Sequence, residues 1–157
     1  MPLADTDAPV AIPQRMRVGK AQPAIYKKLL ELTALIDETS LERSLQDLIK
    51  VRASQVNGCA YCIAMHTSDA RAAGETEQRL YALDAWCETS VFTARERAAL
   101  ALVEAVTLVT EGHVPDEVWS EASAHFDERE LAVLVAEIAM MNFWNRIAIA
   151  SRTTPGT

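Results

Sequence analysis

Chemistry-bearing side chains are concentrated in one eight-residue stretch, Cys59-Ala60-Tyr61-Cys62-Ile63-Ala64-Met65-His66. On a helix turning about 100° per residue, Cys62 lies about 60° from Cys59 and His66 about 20° from it, so all three share one face. Cysteines three apart on a helix fall within the Cα separation a disulfide tolerates, roughly 4.4–6.8 Å. Such a pair can close and open with little backbone movement. Cys59 would stand at the helix N-terminus, where free N–H groups and the macrodipole favour a thiolate. His66, one turn beyond Cys62, could accept its proton. The two effects point to different sulfurs; we take the base-assisted Cys62 as the attacking thiolate and Cys59 as the resolving thiol. Zinc is the rival use of the same residues, with Cys59, Cys62 and His66 as three ligands and Cys87 as a conceivable fourth. Structural zinc usually sits in short loops, however, and a helical chain of this length needs no metal to fold.

Asp47 is the candidate third member. It lies ten residues before Asn57, about 15 Å along a helix, while His66 lies eight residues after Gly58, about 12 Å along the next. If the Asn57-Gly58 turn folds the two helices antiparallel, Asp47 and His66 come level, and the carboxylate could orient the imidazole. An ordinary solvated aspartate is the competing reading. Cys87, after Trp86, reads as a buried small hydrophobe, and His113 and His125 as surface residues. Trp86, Trp119 and Phe126 read as core or interface aromatics. Asn145 and Arg146 interrupt an apolar helix and need partners, for which packing across a subunit contact is expected.

The elements that must position these residues follow from period and punctuation. Residues 1–19 contain Pro2, Pro9 and Pro13 and predict an extended arm, with the helical domain over 20–157. Ile25, Leu29, Leu32 and Ile36 recur at helical spacing after Pro23. Thr39-Ser40-Leu41-Glu42 has the form of a capping box opening a second helix, which Asn57-Gly58 stops. A third runs from about Cys59 to Ala73, a shorter one from Thr76 to Trp86. Thr93-Ala94-Arg95-Glu96, a second capping box, launches a helix to about Val109. Asp116 is expected to cap a short helix ending near Phe126. Asp127-Glu128-Arg129-Glu130 opens the last and longest, to about Ala150, apolar around much of its circumference and therefore central or at an interface. No run alternates with period two. The expectation is one all-α domain, a bundle of six or seven helices.

Composition bounds the function. A net charge of −7 argues against a nucleic-acid partner and against docking on an anionic membrane. No uninterrupted apolar run reaches the roughly 18 residues that suggest a membrane span, and Met1-Pro2-Leu3-Ala4-Asp5 has no signal-peptide pattern. A cytoplasmic location is expected. Three cysteines in a chain of this size do not form a disulfide framework. Ile63 after Cys62 excludes the usual covalent haem motif, and no βαβ pattern points to a thioredoxin fold.

The segment from Asp47 to His66 resembles the alkylhydroperoxidase AhpD-like branch of the carboxymuconolactone decarboxylase family, in which an acidic residue, eleven intervening positions and Cys-x-x-Cys-x-x-x-His recur. The similarity extends through Gly74-Glu75-Thr76-Glu77-Gln78-Arg79-Leu80 and Asn142-Phe143-Trp144-Asn145-Arg146. The resemblance implies an all-helical, homo-oligomeric protein, trimeric or hexameric. It implies thiol-dependent reduction of hydroperoxides by Cys59, Cys62 and His66, with Asp47 in the proton relay and neither organic cofactor nor metal. It further implies re-reduction by an external dithiol or lipoyl-type partner, and a peroxiredoxin as a possible electron acceptor. Two departures stand out: the acidic position is usually Glu, one methylene longer than Asp47, and the best-known members carry His where this chain has Tyr61. They leave room for a redox-sensing or disulfide-exchange protein without peroxide turnover. A lyase on the same scaffold is a further alternative, but that branch does not depend on a cysteine pair.

Overall fold

The structure, a computed structural model, describes residues 10–39 and 41–155. In chain order it contains α1 (Val18–Ala21), α2 (Pro23–Asp37), α3 (Arg43–Asn57), α4 (Ala60–Ala72), α5 (Glu77–Ala82) running into a 3₁₀ segment (Leu83–Glu88), α6 (Ala94–Thr107), α7 (Asp116–His125) and α8 (Glu128–Ser151). The architecture is all-α, with no strand among the described residues. The one helix beyond the expected number is the four-residue α1, which straddles the boundary at residues 19 and 20 between the stretch read as an arm and the helical domain. Residues 10–17 carry no regular element, and residues 1–9 lie outside the described part.

The helix ends are set by local chemistry in most places. Thr93 with Glu96 and Asp127 with Glu130 form reciprocal capping boxes at α6 and α8. Two expected caps are corrected. The Thr39 hydroxyl donates to the Ile36 carbonyl at 2.7 Å, closing α2 rather than opening α3. Helix α3 starts at Arg43 instead, because the Glu42 carboxylate is drawn into bonds with Arg95 at 3.1 and 3.2 Å. Ser40, the second residue of that expected box, lies outside the described residues. Asp116 makes no capping bond; it is the first helical residue after Pro115, where its charge complements the macrodipole.

Helix α3 is the central element, and it buries two faces. Leu45, Ile49 and Ala53 join Leu102 and Val103 of α6 and Leu134, Ile138 and Met141 of α8 in the main core. Leu48 and Val51 join Leu80, Leu83, Phe92 and Leu100 in a second. A third, small cluster is Cys59, Cys62 and Ala148, with Tyr61 against it. The expectation that no segment could cross a membrane is revised in one respect: α8 is long and apolar enough by length and composition. Of its polar residues, Glu137, Asn142, Asn145 and Ser151 are nevertheless buried against the other helices, while Arg146 is exposed.

Candidate functional site

The site is built on the turn between α3 and α4. Gly58 takes φ +67°, the left-handed conformation that ends a helix, and the N–H of Cys59 returns to the Ser54 carbonyl at 2.9 Å. Cys59 is therefore the N-cap of α4, and its sulfur accepts the Cys62 N–H at 3.3 Å. Cys59 and Cys62 are joined as a disulfide with their Cα atoms 5.3 Å apart. Both are buried, at 1% and 2% exposure.

Only Cys62 of the pair borders the cavity of about 530 Å³ beside it. Tyr61, Met65 and His66 of α4 line the same space. Met140, Met141, Trp144 and Ile147 of α8 and Tyr26, Leu30 and Ile36 of α2 line it as well. Residues 17–20 of the arm and α1 complete the wall. The arm is tied down by Arg15, whose N–H donates to the Ser151 carbonyl at 2.9 Å and whose guanidinium donates to the Ala150 carbonyl at 3.3 Å. The Trp144 indole donates to the Thr33 hydroxyl at 2.9 Å, which pins α8 to α2 over the cavity.

His66 is half-buried, and its imidazole is pushed down to about 4. Burial is the main cause and the Lys50 charge the second, opposed by the carboxylates of Asp69 and Asp37. A neutral imidazole at physiological pH can accept a thiol proton. Asp47 is buried, and its carboxylate accepts from Arg43 Nε at 3.0 Å rather than from His66. Asp47 is not a cavity residue; Arg43, held in its charged form by Asp47, is.

Sequence reasoning missed a charged cluster on the polar side of the cavity. Lys50 Nζ lies 2.5 Å from Asp37 Oδ1 and 3.5 Å from Glu137 Oε1. Burial raises the Glu137 carboxyl, and Lys50 only partly opposes this. Glu137 Oε2 is buried with no hydrogen-bond partner among the described residues. The signal that could have found Glu137 is its position as the lone acid in the apolar run from Leu131 to Met141.

Behind the turn, the Asn57 amide donates to the side-chain oxygens of Asn142 at 3.0 Å and Asn145 at 2.9 Å. Asn145 donates to the Ser54 hydroxyl at 3.1 Å, whose own proton goes to the Lys50 carbonyl at 2.7 Å; that last bond orients the Asn145 amide. Arg146 donates to the Asn142 carbonyl at 3.0 Å and to its side-chain oxygen at 2.9 Å. Asn145 and Arg146 thus find partners within the protomer. Cys87 is exposed on the 3₁₀ segment, contrary to the buried reading. Of the aromatics read as core or interface, Phe126 is in the core and Trp119 is 45% exposed on the surface of the chain.

Comparison with known proteins agrees with this architecture. Residues 23–105 match the carboxymuconolactone decarboxylase family. The uncharacterized protein YdfG of Bacillus subtilis is 44% identical over 137 residues, covering 87% of this chain and 93% of its own. ATU0492 of Agrobacterium tumefaciens, a protein of unknown function put forward as an antioxidant defence protein AhpD, superposes with a TM-score of 0.90 at 36% identity, over 92% of this chain and 99% of its own. The debrominase Bmp8, at 22% identity, shares the fold with a TM-score of 0.80 over 88% of this chain and 74% of its own. The chain belongs to the carboxymuconolactone decarboxylase family, in its AhpD-like branch.

Proposed function

We propose that the protein is a thiol peroxidase of the alkylhydroperoxidase type, reducing organic hydroperoxides at Cys62. The observation that carries this reading is a closed Cys59–Cys62 pair of which one sulfur borders an apolar cavity beside a neutral imidazole. In the reduced protein His66 takes the Cys62 proton, and the thiolate attacks the terminal oxygen of the hydroperoxide. The O–O bond breaks, Cys62 becomes a sulfenic acid, and the alkoxide leaves as an alcohol after gaining a proton. The Cys59 thiol then condenses with the sulfenic acid, expelling water and forming the disulfide. Asp47 acts through Arg43, fixing a cation on the cavity wall. No cofactor enters the cycle.

An external dithiol restores the pair by exchange. Because both sulfurs are buried, the reductant must reach Cys62 through the cavity on a slender arm, as a lipoyl group could. A peroxiredoxin is the corresponding candidate electron acceptor. The exposed apolar faces described below favour a homo-oligomer, a trimer or hexamer in keeping with the family resemblance.

The reading is tested with reduced protein in a Cys87→Ala background. One equivalent of cumene hydroperoxide should consume both remaining thiols and release one equivalent of alcohol. Cys62→Ser should abolish this, and Cys59→Ser should stop at a trappable sulfenic acid. Unchanged turnover in both serine variants would end the proposal, and fast dithiol exchange without peroxide consumption would favour a disulfide-exchange protein instead. A second reading, replacement of a ring halogen by hydrogen with the Cys59 and Cys62 thiols supplying the two electrons and closing to the disulfide as halide leaves, is favoured by the aromatic cavity walls at Tyr26, Tyr61 and Trp144 and by the fold shared with the debrominase Bmp8, whose C82A form was solved with 2,3,4-tribromopyrrole. Halide release from that compound, dependent on Cys62, separates it from the first.

A further inference from the structure

Glu137 has a place in the cavity that the thiol chemistry above leaves unexplained. It is 2% exposed and sits in an otherwise apolar part of α8. It borders the same space as Cys62 and His66, but from α8 rather than α4. One carboxyl oxygen, Oε1, lies 3.5 Å from Lys50; the other, Oε2, is buried with no partner among the described residues. We propose that Glu137 is the general acid of the site, its Oε2 carrying the proton delivered to the oxygen that leaves when the Cys62 thiolate cleaves an O–O bond. The step rests on the hydroperoxide reading above.

The charges around Glu137 explain why it would hold a proton. Asp37 faces it from α2, Arg43 and Lys50 from α3, and His66 and Asp69 from α4. Arg43 is engaged by Asp47, and Lys50 lies closer to Asp37 than to Glu137. Two carboxyl groups therefore share one ammonium, and Glu137 is the one shielded from water, where a bare carboxylate is costly. A protonated Oε2 with no acceptor among the described residues is an unsatisfied donor on a cavity-lining side chain, which a turn of the carboxyl group would offer to a ligand oxygen.

The chemistry needs such a group. His66 serves the sulfur, whereas the leaving oxygen lies on the far side of the O–O bond from it. In the step, Cys62 sulfur bonds to the terminal oxygen, the O–O bond breaks, and the alkoxide takes the Glu137 proton to become the alcohol. The carboxylate left behind is held by Lys50. The proton that His66 took from the Cys62 thiol then passes to it, so protons balance within each turnover.

The test compares oxidants by the basicity of their leaving groups. tert-Butyl hydroperoxide expels a strongly basic alkoxide and needs an acid; peroxyacetic acid expels acetate and does not. In reduced protein carrying Cys87→Ala, E137Q should slow oxidation by tert-butyl hydroperoxide by about 10²-fold and leave peroxyacetic acid within about threefold. Glu137→Asp, which keeps the acid, should recover part of the loss. At neutral pH the wild type should show a protonated-carboxyl infrared band that E137Q lacks. Equal slowing with both oxidants, no slowing with either, or an ionised Glu137 would overturn the proposal while leaving Cys62 as the attacking thiol. A wild type inert toward both oxidants would remove the hydroperoxide reading and this step with it.

Discussion

With Cys59 and Cys62 bonded, neither sulfur carries charge, and His66 has nothing to hold a proton for. Its depressed value of about 4 belongs to that oxidised state. Reduction creates a potential thiolate one turn away, and an anion there favours the imidazolium. Proton NMR should find His66 titrating near 4 in the disulfide form and higher in the dithiol form; an unchanged value would exclude the imidazole as the thiol's base. The same shift affects stability in the oxidised form. Between the ordinary value of 6.5 and about 4 the unfolded chain binds a proton that the native imidazole refuses. The His66 contribution is therefore constant above that window and destabilises progressively as pH falls through it. Urea unfolding of wild type against His66→Asn should show this as a difference that shrinks toward acid pH. At this scale Cys59, Cys62 and His66 were legible because one helix carries them. Asp37, Lys50 and Glu137 were not, since their meeting depends on how three separate helices pack.

The element that matters most is the turn at Gly58. Its φ of +67° suits glycine, while a Cβ built there would meet nothing within 4 Å. Gly58→Ala should therefore cost about 1–2 kcal/mol of stability through backbone strain alone. Chemical denaturation of the oxidised protein measures this, and a neutral result would mean the turn relaxes. Helix order, this turn and the boxes at Thr93 and Asp127 could all be read from sequence, because each rests on neighbours a few residues apart. The misread caps at Thr39 and Asp116 show the limit of that logic. Thr39 bonds backward into α2, Glu42 is claimed by Arg95 of a distant helix, and Pro115 already provides the start of α7.

For the molecule as a whole, the apolar surface is uneven. Ile25, Leu32 and Leu35 of α2, Phe143 and Ile149 of α8, and Val10, Ile12 and Met16 of the arm are exposed. An isolated chain seldom leaves so much large apolar side chain in water without a partner surface, and a second copy of this chain is the occupant we expect. Light scattering should give a mass that is a multiple of 17.2 kDa, with Leu35→Glu shifting it toward the single chain; a monomer at micromolar concentration would refute this. The anchoring of Arg15 to Ser151 carries a separate consequence. Residues on either side of the cysteines in sequence, one stretch early and one late, meet to enclose them. On the ribosome the thiols emerge well before α8 is made, so for that interval they have no shelter, and only the arrival of the last helix turns two reactive side chains into a guarded chamber.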